Sequence, residues 1–342
     1  MDNKNILSFK PLTRPNILQR ELPGNKAIQQ LVLKTRKEIT DIISGASSKK
    51  LFIVGPCSIH NTDEALQYGT RLKKLSEIVE SHILIVMRVY FEKPRTTVGW
   101  KGLINDPCMD NSFKVNDGLR KARKLLLDLN NIGLPCGCEV LDTITPQYIS
   151  DLISWGAIGA RTAESQVHRQ MVSGLSMPVG FKNGTDGNKI IARDGILSAR
   201  YKHCFMGVTD MGEPAICETR GNESCHTILR GGKNGPNYYD TDITEMESLL
   251  EEKKLPMAIM VDCSHGNSNK DFKNQCNVLL DVVNRMKSNS SLKGVMIESN
   301  LIEGKQPLVQ NLKYGISITD SCIGFLETND LLIKCYEILY NQ

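Results

Sequence analysis

The feature that most constrains this 342-residue chain is an alternation running through most of its length. Short apolar runs rich in β-formers recur at 51–55, 83–90, 137–141, 158–163, 179–182, 227–230, 258–262 and 294–298. Between them, segments such as 63–79, 117–131, 145–155 and 267–286 carry apolar residues at helical spacing. Eight strands alternating with helices predict an α/β chain folded as a (β/α)8 TIM barrel. An open doubly wound sheet would need a glycine-rich dinucleotide loop after an early strand, and Gly55-Pro-Cys-Ser58 does not supply one.

Two segments exceed a minimal barrel. Residues 1–45 precede the first strand, with breaks at Pro11, Pro15 and Leu22–Gly24 and a helix expected over 26–44. Residues 203–219 carry two strand-like runs, 204–208 and 215–218, around Asp210-Met-Gly-Glu-Pro214, which predicts an inserted β-hairpin. The expected division is therefore an N-terminal extension over 1–45, serving assembly or regulation, and a catalytic barrel over 46–342 containing the hairpin.

Composition removes several classes. Charged residues make up 23% and the formal net charge is +4, without the basic excess of a nucleic-acid binder. No stretch approaches a membrane span and the N-terminus has no apolar signal core, so no membrane partner is expected. The 11 cysteines are odd in number and lack framework spacing, which favours a reducing compartment and a cytoplasmic enzyme.

In barrels of this type the chemistry sits at the C-terminal ends of the strands. Here those ends carry Cys57, Arg88, Glu139, Arg161, Lys182, Arg230, His265 and Glu298. Cys57, His265, Glu298 and Asp320, the last placed at the start of the final helix, form a mixed thiolate, imidazole and carboxylate set. Such a set suits manganese, iron, cobalt or zinc better than a closed structural zinc site. Taken singly, Cys57 reads equally as a buried small residue, and Asp320 as part of a helix first turn. The other histidines, 60, 82, 168, 203 and 226, are expected in structural roles. Arg88, Arg161, Lys182 and Arg230 would form a dianion clamp, although any one of them could instead brace the barrel through an acid.

The run Phe91-Glu-Lys-Pro-Arg-Thr-Thr-Val-Gly-Trp-Lys-Gly-Leu-Ile-Asn-Asp106, read with Gly55-Pro-Cys-Ser-Ile-His60, resembles the class I 3-deoxy-D-arabino-heptulosonate 7-phosphate (DAHP) synthases. The likeness extends over about residues 15–340 and includes Asp262-x-Ser-His-x-Asn267, Gly294-Val-Met-x-Glu298 and Ser317-Ile-Thr-Asp320. It implies a transferase that condenses phosphoenolpyruvate with erythrose 4-phosphate and water, giving DAHP and phosphate in the shikimate pathway to aromatic amino acids. It further implies one divalent metal on Cys57, His265, Glu298 and Asp320. Arg161 and Arg230 would hold the phosphate of phosphoenolpyruvate, with Arg88 and Lys182 on its carboxylate side. Lys93, Pro94, Arg95 and Thr96 match the erythrose 4-phosphate motif, where the related 3-deoxy-octulosonate 8-phosphate synthases have Lys-Ala-Asn-Arg. Lys93 would protonate the developing alkoxide, and Glu139 or a carboxylate near the metal would accept the proton of water.

Two rivals stand beside this reading: a Schiff-base aldolase using Lys182, and a catalytically silent phosphosugar sensor. The resemblance also implies a homo-oligomer, dimer or tetramer, inhibited by an aromatic amino acid. Matching effector positions are Gln147, Ser176, Phe205, Gly207 and Cys217. Phe205-Met-Gly-Val-Thr209 resembles the tyrosine-sensitive branch, in which glycine leaves room for the phenol oxygen, while Asp210 stands where that branch commonly has lysine.

Overall fold

The computed structural model describes residues 2–341. Eight parallel strands close into a barrel: β1 (Lys50–Gly55), β2 (Ile83–Arg88), β3 (Cys136–Glu139), β4 (Trp155–Ile158), β5 (Val179–Lys182), β8 (Cys225–Leu229), β9 (Ile259–Asp262) and β10 (Leu292–Glu298). Their order around the barrel follows the sequence, and β10 pairs β1 to close it. The intervening pair β6 (Cys204–Val208) and β7 (Pro214–Glu218) forms a separate antiparallel hairpin, so β5 pairs directly with β8. Every residue of β1, β3, β4, β5, β8 and β9 is buried, as expected for parallel strands covered on both faces.

The helices around the barrel start where the sequence offers caps. α2 (Lys26–Ser44) begins with Asn25, whose side chain accepts from Ile28 N, and ends at Gly45 with φ +83. α3 (Thr62–Val79) begins with Asn61, which accepts from the amides of Asp63 and Glu64. α2 also explains much of the N-terminal extension. Its Ile39, Ile42 and Ile43 join Leu51, Ile53, Val86, Trp155, Ile228, Met260 and Met296 in one apolar cluster. The helix therefore plugs the base of the barrel, leaving the opposite, C-terminal end open for chemistry.

Four expectations need correction. The fourth strand is Trp155–Ile158, not 158–163, because residues beyond it turn: Thr162 N and Ala163 N both bond back to Gly159 O. The segment 145–155 is only a short helix, Pro146–Ile149, followed by the 3-10 turn Ser150–Leu152, and Trp155 belongs to the strand. Helix α9 runs over Gln275–Arg285, led in by the 3-10 turn Phe272–Asn274; residues 265–270 are turns in which His265, Asn269 and Lys270 take left-handed backbone angles. Asp320 likewise precedes the final helix α10 (Phe325–Tyr340) and is not in its first turn.

Candidate functional site

The strand ends converge as the barrel requires. Side-chain ligand atoms of Cys57, Glu298 and Asp320 lie within 4.8 Å of one another. Cys57 Sγ is 3.5 Å from Asp320 Oδ2. His265 stands just outside this trio, with Nε2 4.0 Å from Glu298 Oε1. Burial, then the neighbouring Glu298, pushes the Cys57 thiol up to about 11, against the opposing pull of Lys93. Two carboxylates and a thiol gathered this way, the thiol able to give up its proton to a metal, make a donor set that fits a divalent cation.

Lys93 is buried against this cluster, its Nζ 3.2 Å from both Cys57 Sγ and Cys57 O. Burial lowers the Lys93 ammonium, but Cys57 and then Glu298 and Glu139 outweigh it, and the net shift is upward. Arg88 is also buried. Its guanidinium donates to Glu298 Oε1 at 2.9 Å and to the carbonyls of Pro56 and Cys57, and it lies 3.6 Å over the Tyr90 ring. Arg88 thus holds the Gly55–Cys57 loop and Glu298 in register.

The loop 91–106 is laced to itself. Lys93 N donates to Lys101 O, Arg95 Nε to Trp100 O at 2.8 Å, and Trp100 Nε1 to Asp106 O. Its residues Lys93, Pro94, Arg95 and Lys101 line a cleft of about 450 Å³ together with Arg161. Arg161, on the turn beyond β4, donates from Nε to Thr96 Oγ1 at 3.0 Å, joining the two loops across the cleft. Arg230 is lowered by burial first, with Asp262 opposing and the Arg161 charge adding to the fall. Among the described residues neither guanidinium is in an ion pair, and two such groups near each other suit an anion.

Lys182 Nζ donates to Asp262 Oδ2 at 2.7 Å, an ion pair buried in the barrel mouth. Glu139 is buried, its Oε1 without a hydrogen-bond partner among the described residues. A Cβ on Gly159 would come 2.2 Å from that oxygen, so glycine is what leaves the carboxylate its space. Three of the five expected effector positions lie on the hairpin: Phe205 pairs with Cys217 across β6–β7, and Gly207 lies on the same face two residues on. Cys217 Sγ occupies the space above Gly207, 2.5 Å from where a Cβ would stand. Ser176 lies on the loop before β5, and Gln147 in the short helix Pro146–Ile149, where Gln147 O accepts from Gln19 Nε2 of the extension.

Two groups escaped sequence reasoning. Asp262 anchors Lys182 and His265 together, and its signal was a carboxylate closing an apolar strand within Asp-x-Ser-His. Asn183, Asn237 and Asn267 form a buried network: Asn183 Oδ1 accepts from Arg230 N, Asn237 Oδ1 from Gly231 N, and Asn267 Nδ2 donates to Asp262 O. Amides whose partners are main-chain atoms leave no pattern in sequence.

Comparison with known proteins agrees with this geometry. The model of the DAHP synthetase I family matches residues 26–332. The Phe-sensitive phospho-2-dehydro-3-deoxyheptonate aldolase of Escherichia coli K12 is 53% identical over 334 residues, covering 97% of this chain and 95% of that protein. The Tyr-sensitive aldolase of the same organism is 49% identical over 346 residues, covering 100% and 97%. A solved phospho-2-dehydro-3-deoxyheptonate aldolase from Francisella tularensis SCHU S4 superposes with a TM-score of 0.97 at 48% identity, covering 98% of this chain and 99% of that one.

Proposed function

The chain belongs to the DAHP synthetase I family, and from that membership we propose how its residues divide the work of a DAHP synthase. The enzyme condenses phosphoenolpyruvate with erythrose 4-phosphate and water to give DAHP and phosphate. Cys57, Glu298 and Asp320, joined by His265, are the ligands of one divalent ion. The observation that carries this assignment is their convergence beside Lys93 at the mouth of a cleft lined by Pro94 and Arg95. Manganese, iron, cobalt and zinc all suit the donor set, and availability selects among them. When bound, the ion supplies Lewis-acid polarisation of the aldehyde carbonyl.

Arg95 and Thr96 take the phosphate of erythrose 4-phosphate; Arg161 and Arg230 take that of phosphoenolpyruvate, and Lys182 and Arg88 face its carboxylate. The phosphoenolpyruvate methylene carbon forms a bond to the aldehyde carbon, and Lys93 Nζ gives a proton to the resulting oxygen. Water adds to the adjacent carbon, Glu139 accepts its proton, and phosphate departs with the carbon–oxygen electron pair. Lys182 is engaged as the cation of a buried pair with Asp262, which argues against its use as a free amine in a Schiff base. Substrate choice tests the assignment: phosphoenolpyruvate should disappear with erythrose 4-phosphate and not with arabinose 5-phosphate, and the reverse preference would refute it.

The relatives' names report sensitivity to phenylalanine or tyrosine, which supports an aromatic amino acid effector for this chain. Gln147, Ser176, Phe205, Gly207 and Cys217 are its binding positions in this reading, with tyrosine favoured. The extension's exposed Ile6, Leu7 and Phe9, and Met206 and Ile216 on the outer hairpin face, support burial of these surfaces against a second copy.

A further inference from the structure

We infer that Asp262 is a positioning residue that couples the metal ligand His265 to the phosphoenolpyruvate cation Lys182; this rests on the metal site proposed above. One carboxylate serves both partners through the same oxygen. Asp262 Oδ2 accepts from Lys182 Nζ at 2.7 Å and lies 3.0 Å from His265 Nδ1. Its other oxygen, Oδ1, accepts from Ser264 N at 3.0 Å and Ser264 Oγ at 2.6 Å. The three hydrogen bonds that the carboxylate accepts come from Lys182 and Ser264 at the barrel mouth, and Asp262 itself is fully buried.

Three consequences follow from this geometry. First, His265 Nδ1 lies 2.6 Å from Ser264 Oγ, which itself donates to Asp262 Oδ1, and 3.0 Å from Asp262 Oδ2. Acceptors on that side keep the imidazole proton on Nδ1 and leave Nε2, the nitrogen facing Glu298, with its lone pair free for a metal. Second, His265 sits in the left-handed region at φ +55, which is unfavourable for a residue with a side chain. The Ser264 amide bond to Oδ1 closes a turn onto the strand end and holds that conformation in place. Third, Lys182 Nζ donates its only side-chain hydrogen bond among the described residues to Asp262, so its ammonium cannot swing away without leaving a buried charge unpaired.

The test is Co²⁺ titration of the metal-free full-length protein against a chromophoric chelator, with Michaelis constants measured in parallel. Asp262→Asn should weaken Co²⁺ binding about 10- to 100-fold, the usual cost of losing a histidine's second partner. It should also raise KM for phosphoenolpyruvate more than KM for erythrose 4-phosphate. Lys182→Met keeps the Asp262–His265 contact and should bind Co²⁺ as the wild type does. If Asp262→Asn does not fold, the Asp262→Asn/Lys182→Met double variant, which leaves no ammonium unpaired, carries the test and should show the same weakened binding. Wild-type Co²⁺ affinity in the Asp262 variants, with affinity lost in Cys57→Ala, would overturn this inference and leave the metal site standing. Wild-type affinity in Cys57→Ala would instead remove the metal reading on which it rests.

Discussion

Arg95→Ala separates the two phosphate sites, and its effect can be sized from the structure. Arg95 spends Nε on Trp100 O at 2.8 Å, while its two terminal nitrogens have no hydrogen-bond partner among the described residues and line the cleft. Those nitrogens are the fork offered to a phosphate. A hydrogen bond to a charged group contributes about 1.5–3 kcal/mol, which corresponds to roughly 10- to 100-fold in affinity. KM for erythrose 4-phosphate should rise by that factor, and KM for phosphoenolpyruvate should move little because Arg161, Arg230 and Lys182 are untouched. The loop itself should survive, since Lys93 N–Lys101 O and Trp100 Nε1–Asp106 O remain. Arg95→Lys keeps a point charge without the fork and should fall between. Initial rates with each substrate varied at saturating partner provide the assay. Equal increases in both constants would show that the loop is merely structural and that the phosphate sites are wrongly assigned.

Two other expectations are independent of the cleft loop. His226 is buried in the barrel, its Nε2 accepting from Trp155 Nε1 at 3.2 Å, and burial lowers its pKa to about 4. Because the folded value lies below the unfolded value of about 6.5, its contribution is present above that pH and lost as pH falls toward 4, about 3 kcal/mol in full. The thermal midpoint should drop between pH 6.5 and 4, His226→Gln should flatten that slope, and an unchanged slope would refute the neutral-histidine reading. At the hairpin, tyrosine should inhibit more strongly than phenylalanine, and Gly207→Ser should weaken tyrosine inhibition by the order of 1–3 kcal/mol of coupling. A serine side chain there meets Cys217 Sγ, 2.5 Å from where its Cβ would stand; inhibition curves showing phenylalanine alone as effector would reverse this.

The barrel was legible because its signal is redundant: each strand is a buried apolar run and most helices carry caps or an apolar stripe. The fourth unit failed for a local reason. Trp155 serves equally as the end of an amphipathic helix or the start of a strand, and only its packing against His226 and the α2 plug decides. Candidate site residues stand out where their chemistry is unusual at a strand end, as for Cys57, Arg230 and Glu298. Arg88 was placed correctly at its strand end, yet its burial under Tyr90 and its bonds to Pro56 O and Cys57 O depend on how β1 and β2 abut. Asp262 was hidden because a buried acid at a strand end acquires meaning only when Lys182 and His265 arrive from 80 residues upstream and three downstream.

The central claim is that Cys57 with His265, Glu298 and Asp320 holds one divalent ion that the condensation requires. The direct measurement is phosphoenolpyruvate consumption with erythrose 4-phosphate after EDTA treatment and readdition of Mn²⁺, for the wild type and Cys57→Ala, alongside metal content per subunit. The account predicts one ion and restored turnover for the wild type, and neither for a folded Cys57→Ala protein. Full turnover in EDTA, or a Cys57→Ala enzyme that regains activity with Mn²⁺, would contradict it.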